Sequence, residues 1–134
     1  MSPDERSSLF IRIFSIFTNS FDWSSNDRYP PRDVGQRGWA FTVYLLDKFG
    51  DEDHSVEFYG EKYLKAFPKS LALFTPAPWG APYDHFLSCY HVRSFTRFLE
   101  WFGFVTVEST HGVHNAHLDI VKRTEVSERV IRFG

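Results

Sequence analysis

The chain has 134 residues, 43% of them hydrophobic and 19% aromatic, with a formal net charge of -2. That length suits one domain with a sizeable core, and 15 Phe, 6 Tyr and 4 Trp make the core a bulky one. The balance of charge lacks the basic excess of a dedicated nucleic-acid binder, and the single cysteine, Cys89, excludes an internal disulfide and a Cys-rich zinc site.

The start, Met1 to Glu5, is acidic, and the apolar run from Leu9 to Phe17 is short and broken by Arg12. Neither a signal peptide nor a membrane span is expected, and a cytoplasmic location is. Ser2, Pro3 and Glu5 have the spacing of a capping box, which predicts a first helix stopping near Asn19. Its apolar face is wide, with Leu9, Ile13 and Ile16 beside Phe10, Phe14 and Phe17. Such a face must pack across the domain or against a second subunit.

Residues 19 to 32 read as a loop pinned by Phe21, Trp23 and Tyr29. Asp33 and Gln36 repeat the capping-box spacing, and Gly50 is a stop, so a second helix is expected over 34 to 49. A buried strand over Trp39 to Leu46 is the alternative. Val56, Tyr59, Tyr63 and Phe67 give a third helix closed by Pro68. Leu71 to Phe74 reads as a brief strand, and Thr75 to Pro82 as a stiff loop. Asp84 is read as the cap of a fourth helix through Phe86, Leu87 and Tyr90.

The most informative stretch follows. Phe95, Phe98, Leu99 and Phe102 fall on one helical stripe, with Ser94 as N-cap and Gly103 as a left-handed stop. Phe104 to Glu108 then changes period and composition to those of a strand. A loop at 110 to 116, a strand from His117 to Lys122 and a last strand from Arg129 to Phe133 complete the chain.

From the third helix onward the order is helix, short strand, helix, helix, strand, loop, strand. That order resembles a winged helix-turn-helix domain. The resemblance implies an α+β fold with a helix-rich N-terminal half, a winged-helix-like C-terminal half and a small antiparallel sheet. It divides a single domain, 1–134, into an N-terminal helical extension (1–50) and a core (55–134). It makes 84 to 90 the second helix, 94 to 102 the recognition helix and 110 to 116 the wing tip. The N-terminal additions of such regulators often dimerise, which implies a homodimer through the first helix. The long Pro-rich loop and the extra last strand depart from the pattern and leave open helices laid on one face of an antiparallel sheet.

On that reading Arg93, Ser94, Thr96 and Arg97 would reach DNA, supported by Lys122 and Arg123, although Glu100 on the same face would repel it. Trp39, Trp79, Tyr83 and Trp101 are candidates for the wall of a ligand pocket, against the plainer reading that they fill an aromatic core. His111, His114 and His117 lack a completing ligand, so no metal is expected. Cys89 beside His85 and His91 ends an apolar helix with no oxyanion motif, so no catalytic residue and no cofactor are expected. The functional expectation is a small non-enzymatic binding protein, read first as a DNA-binding regulator. The alternative is a protein-interaction or small-ligand module.

Overall fold

A computed structural model describes residues 1–24, 34–74, 80–109 and 113–131. The first helix, α1 (Pro3–Asn19), begins at the capping box. Ser2 Oγ accepts from the Glu5 amide at 3.1 Å, and Glu5 Oε2 accepts from the Ser2 amide at 3.1 Å. Two orphan donors of the first turn are thereby satisfied. Trp23 pins the chain beyond the helix, donating from its indole to the Phe17 carbonyl at 2.7 Å. Gln36 does not act as a helix cap. Its side chain accepts from the Trp23 amide at 3.0 Å and donates to the Phe21 carbonyl. Asp33 and Tyr29 lie outside the described residues.

Helix α2 (Trp39–Phe49) starts after a run of turns at 34 to 38, so the aromatic segment is helix and not strand. A two-residue strand, β1 (His54–Ser55), leads into α3 (Val56–Ala66). Ser55 Oγ caps α3 through the Phe58 amide at 3.1 Å. The strand expected over Leu71 to Phe74 is instead a 3-10 helix, Pro68–Leu73. Pro68 fixes the first turn, and i→i−3 bonds tighten it: Ser70 donates to the Phe67 carbonyl at 3.0 Å and Phe74 to Leu71 at 3.2 Å.

Helix α4 (Pro82–Tyr90) has Ala81 as its N-cap, and Asp84 sits inside the first turn and accepts from the Ala81 amide at 3.3 Å. It runs without a break into a π-helix, His91–Leu99. The helix-turn-helix expected from the resemblance therefore does not form, because no turn separates 90 from 94. Ser94 is interior to the run, not a cap. At its end the Glu100 amide reaches the Phe95 carbonyl at 2.8 Å, the i→i−5 bond of the wider turn.

The stop at Gly103 is as the sequence predicts. Gly103 has φ of 78°. Its amide bonds to the Glu100 carbonyl at 3.0 Å, and the Phe104 amide bonds to Leu99 at 2.8 Å. That pair of bonds is a Schellman motif, which needs a left-handed residue. The chain then enters β2 (Val105–Glu108). After a 3-10 segment, Val113–Leu118, β3 (Ile120–Arg123) pairs antiparallel with both other strands in the order β1-β3-β2. Val107 lies opposite Val121, and His54 also pairs with Val121. Strand β3 begins later than the predicted His117, since His117 belongs to the 3-10 segment.

The last strand expected is also absent. Residues Glu125–Val130 form helix α5, because Thr124 Oγ1 accepts from the Ser127 amide at 3.3 Å and anchors the cap by donating to the Gly103 carbonyl at 2.6 Å. Glu125 in its first turn suits the positive end of the helix dipole. The class is α+β, with helices around a small antiparallel sheet.

The core is built of rings. Phe98 is fully buried and meets Phe14 at 5.6 Å, Phe17 at 5.9 Å, Trp23 at 4.9 Å and Trp39 at 6.3 Å between centroids. Phe95 and Leu99 are also buried, and Phe102 is half-buried against Phe14 and Phe17, as the stripe predicts. A second ring group holds Tyr59, Tyr63, Phe86 and Tyr90, with the Tyr90 hydroxyl 2.8 Å from that of Thr42.

Among the described residues the Tyr59 hydroxyl is buried without a hydrogen-bond partner. Burial pushes its pKa up to about 12 from 10.0, and nearby Arg123 opposes that only in part. The fold holds the neutral phenol, so the unfolded chain ionises first. Stability from this group is whole below pH 10 and falls as pH rises from there to about 12. Tyr59→Phe removes both the orphan hydroxyl and the ionisation. Denaturant melts should show it about 1 kcal/mol more stable at neutral pH, with a shallower loss above pH 10. A destabilised variant with an unchanged alkaline slope would contradict this.

Candidate binding surface

Helix α1 has two apolar stripes, and only one of them is spent on the core. Phe10, Phe14 and Phe17 turn inward, with Phe10 meeting Phe102 at 5.6 Å and Phe14 meeting Trp39 at 5.3 Å. Leu9, Ile13 and Ile16, one turn apart along the next stripe, are 44%, 49% and 56% exposed. Phe17 sits between the stripes in sequence and stacks on exposed Phe21 at 5.6 Å. On its other contact lies Trp101, at 6.2 Å and 59% exposed. Single exposed apolar residues are ordinary, but a run of them on one helix with two large rings beside it is a patch.

On another side of α1 an apolar groove of about 260 Å³ opens, walled by Phe10, Ile11, Phe14, Trp39, Phe104 and Val130. Trp39 is the one pocket candidate from the sequence that lines it. Tyr83 is elsewhere, half-buried with its hydroxyl 3.3 Å from Glu57 and 3.4 Å from Glu61. Burial, then those carboxylates, push its pKa up to about 12. Trp101 lies beside Phe17, and Trp79 is outside the described residues, so the four rings do not form one wall. The sequence reading did not single out Val130 and Ile11. The signal for Val130 was the Thr124 cap, which makes 125–130 a helix.

The six residues named for DNA contact are scattered in character. Arg93 is 1% exposed and donates from Nη1 to the Val34 carbonyl at 3.0 Å, and Ser94 beside it is equally buried. The wider π turn brings both inward, where an α-helical period sets them on the outer face. Gly35 packs against them so closely that a Cβ there would lie 2.7 Å from Ser94 Oγ. Thr96 is half-buried and donates to the Val92 carbonyl at 3.0 Å, and Arg97 is half-buried. Lys122 Nζ sits 2.8 Å from Glu108 and 3.8 Å from Asp53, and the Glu108 hydrogen bond raises its pKa. Arg123 bonds the Asp51 carboxylate and the Asp47 carbonyl and lies 3.5 Å from Glu128. Glu100 faces the backbone instead, accepting from the Val107 amide at 2.9 Å.

Cys89 is fully buried, His85 lies 3.2 Å from the Gly80 carbonyl and His91 pairs with Asp119 at 2.9 Å. Among the described residues no three His, Cys, Asp or Glu side chains gather to hold a metal. His111 and the side chain of His114 lie outside them. Nor is any described helix long and apolar enough to cross a membrane. Comparison with protein-family models, curated proteins and solved structures finds no match to this chain.

Arg93 is thus a packing residue. Arg93→Ala should cost about 3 kcal/mol, since it strands the Val34 carbonyl and empties a buried site. Arg97→Ala should cost at most about 1 kcal/mol. Urea unfolding separates the two, and equal losses would contradict this placement.

Proposed function

We propose that this chain is a small non-enzymatic binding protein whose surface is made for protein, and that it pairs with a second copy of itself through α1. The observation that carries this is the exposed run Leu9, Ile13 and Ile16 on a helix whose opposite stripe is committed to the core. A helix of 17 residues is about 25 Å long. Exposed Trp101 and Phe21, both against Phe17, extend the patch toward the about 800 Å² per partner that a specific dimer uses.

Charge favours a second copy over an unrelated partner. Asp4 and Glu5 sit at the start of α1 and Arg12 two turns on, all exposed. A two-fold axis crossing α1 between Ser8 and Leu9 sets two antiparallel copies together. Glu5 then faces the partner's Arg12, Met1 faces the partner's Ile16, and Leu9 lies at the centre. An isologous interface of this kind makes every favourable pair twice. A DNA-reading role has less support, because Arg93 and Ser94 are buried and Lys122 and Arg123 are engaged by acidic side chains.

Light scattering at high micromolar concentration should give twice the chain mass. Leu9→Lys brings two lysines together at the axis and should give a monomer. Arg12→Glu should weaken the pair about five-fold, and Glu5→Arg in the same chain should restore most of it. A wild-type monomer, or a double reversal no better than the single one, would overturn the proposal.

A further inference from the structure

We propose a second, separate site: a pocket between the turn at 34 to 38 and the end of α3 that takes a small organic anion with an apolar body. The pocket has a volume of about 400 Å³ and includes Arg37, Tyr63, Phe67, Lys69, Ser70 and Leu73 in its wall. That volume lies in the range of small-molecule sites. Its two charged lining residues are both cations, and no carboxylate lines it. In a chain of net charge -2 this is a local reversal of sign.

The wall is firm. Phe67 packs on Tyr63 at 4.8 Å and on Phe41 at 5.6 Å between centroids. Gly38 lets the neighbouring turn close against those rings, since a Cβ there would lie 2.9 Å from both. That closeness sets exposed Arg37 at the edge of the pocket. On the other side, the 3-10 helix Pro68–Leu73 presents exposed Lys69 beside the 50% exposed Leu73. A guanidinium matches a carboxylate with two parallel donors, and an ammonium adds a third. Phe67 and Leu73 are left to cover an apolar body. A bare inorganic anion would use the cations and forgo the rest. A neutral apolar molecule would forgo the cations.

The test uses 2-naphthoate as probe, with methyl 2-naphthoate and inorganic phosphate as comparisons, followed by amide NMR shifts on the full chain. Naphthoate should shift the amides of Gly38, Phe67, Ser70 and Leu73, and the ester and phosphate should bind about ten-fold more weakly or not at all. Arg37→Gln and Lys69→Gln should each weaken naphthoate about ten-fold, and Lys48→Gln, outside the pocket, should leave it unchanged. All three side chains are exposed, so each variant should keep the wild-type spectrum away from the pocket. Equal binding of the ester, shifts centred on Trp39 instead, or full affinity in both glutamine variants would overturn the proposal. So would the absence of any shift up to millimolar naphthoate.

Discussion

The packing of Phe98 against Phe14, Phe17, Trp23 and Trp39 determines which face of α1 remains for a partner. Each of these rings comes from a different turn or element, and Phe98 is fully buried among them. Removing a Phe from such a place typically costs about 3–5 kcal/mol. With Phe10, Phe14 and Phe17 held inward by this cluster, α1 cannot rotate to hide Leu9, Ile13 and Ile16. The exposed stripe is the consequence of a well-made core, and it gives the surface its apolar character.

The same cluster depends on how the helix from Pro82 to Leu99 is wound. A plain α-helix would have the residues that precede Phe98 fan outward. The π turn instead takes Arg93 and Ser94 inward with Phe95, Phe98 and Leu99. The guanidinium then meets the Val34 carbonyl and ties the central helix to the turn before α2. A buried Arg that bridges two segments orients them; it does not reach a phosphate in solvent. What would be a recognition face becomes the hinge of the core, and the ability to bind moves to α1 and to the pocket beside Arg37.

Where one side chain answers one backbone group, the fold was legible in the sequence. Ser2, Pro3 and Glu5 announced the start of α1, and Gly103 announced a left-handed stop, because these positions satisfy orphan amides and carbonyls in only one way. The alternation of apolar stripes on α1 also foretold that part of it would need a cover. Elements whose identity rests on their neighbours were not legible. Leu71 to Phe74 has strand composition, yet Pro68 and the i→i−3 bonds make 3-10 helix of it. Residues 129 to 133 alternate like a strand, but the Thr124 cap, itself held by the Gly103 carbonyl, winds 125–130 into helix. The facing of Arg93 was lost because a wheel of α-helical period does not describe a π turn. Lys122 and Arg123 were read as free cations because their acidic partners, Asp53 and Asp51, are far away in sequence.

The central claim is that two copies meet along α1 with the two-fold axis beside Leu9. Cysteine cross-linking tests it directly, since the native Cys89 is fully buried. Under mild oxidation Leu9→Cys should give a covalent dimer, and Ser15→Cys, exposed on the polar side of the same helix, should stay monomeric. Equal cross-linking at both positions, or none at position 9, would contradict the account.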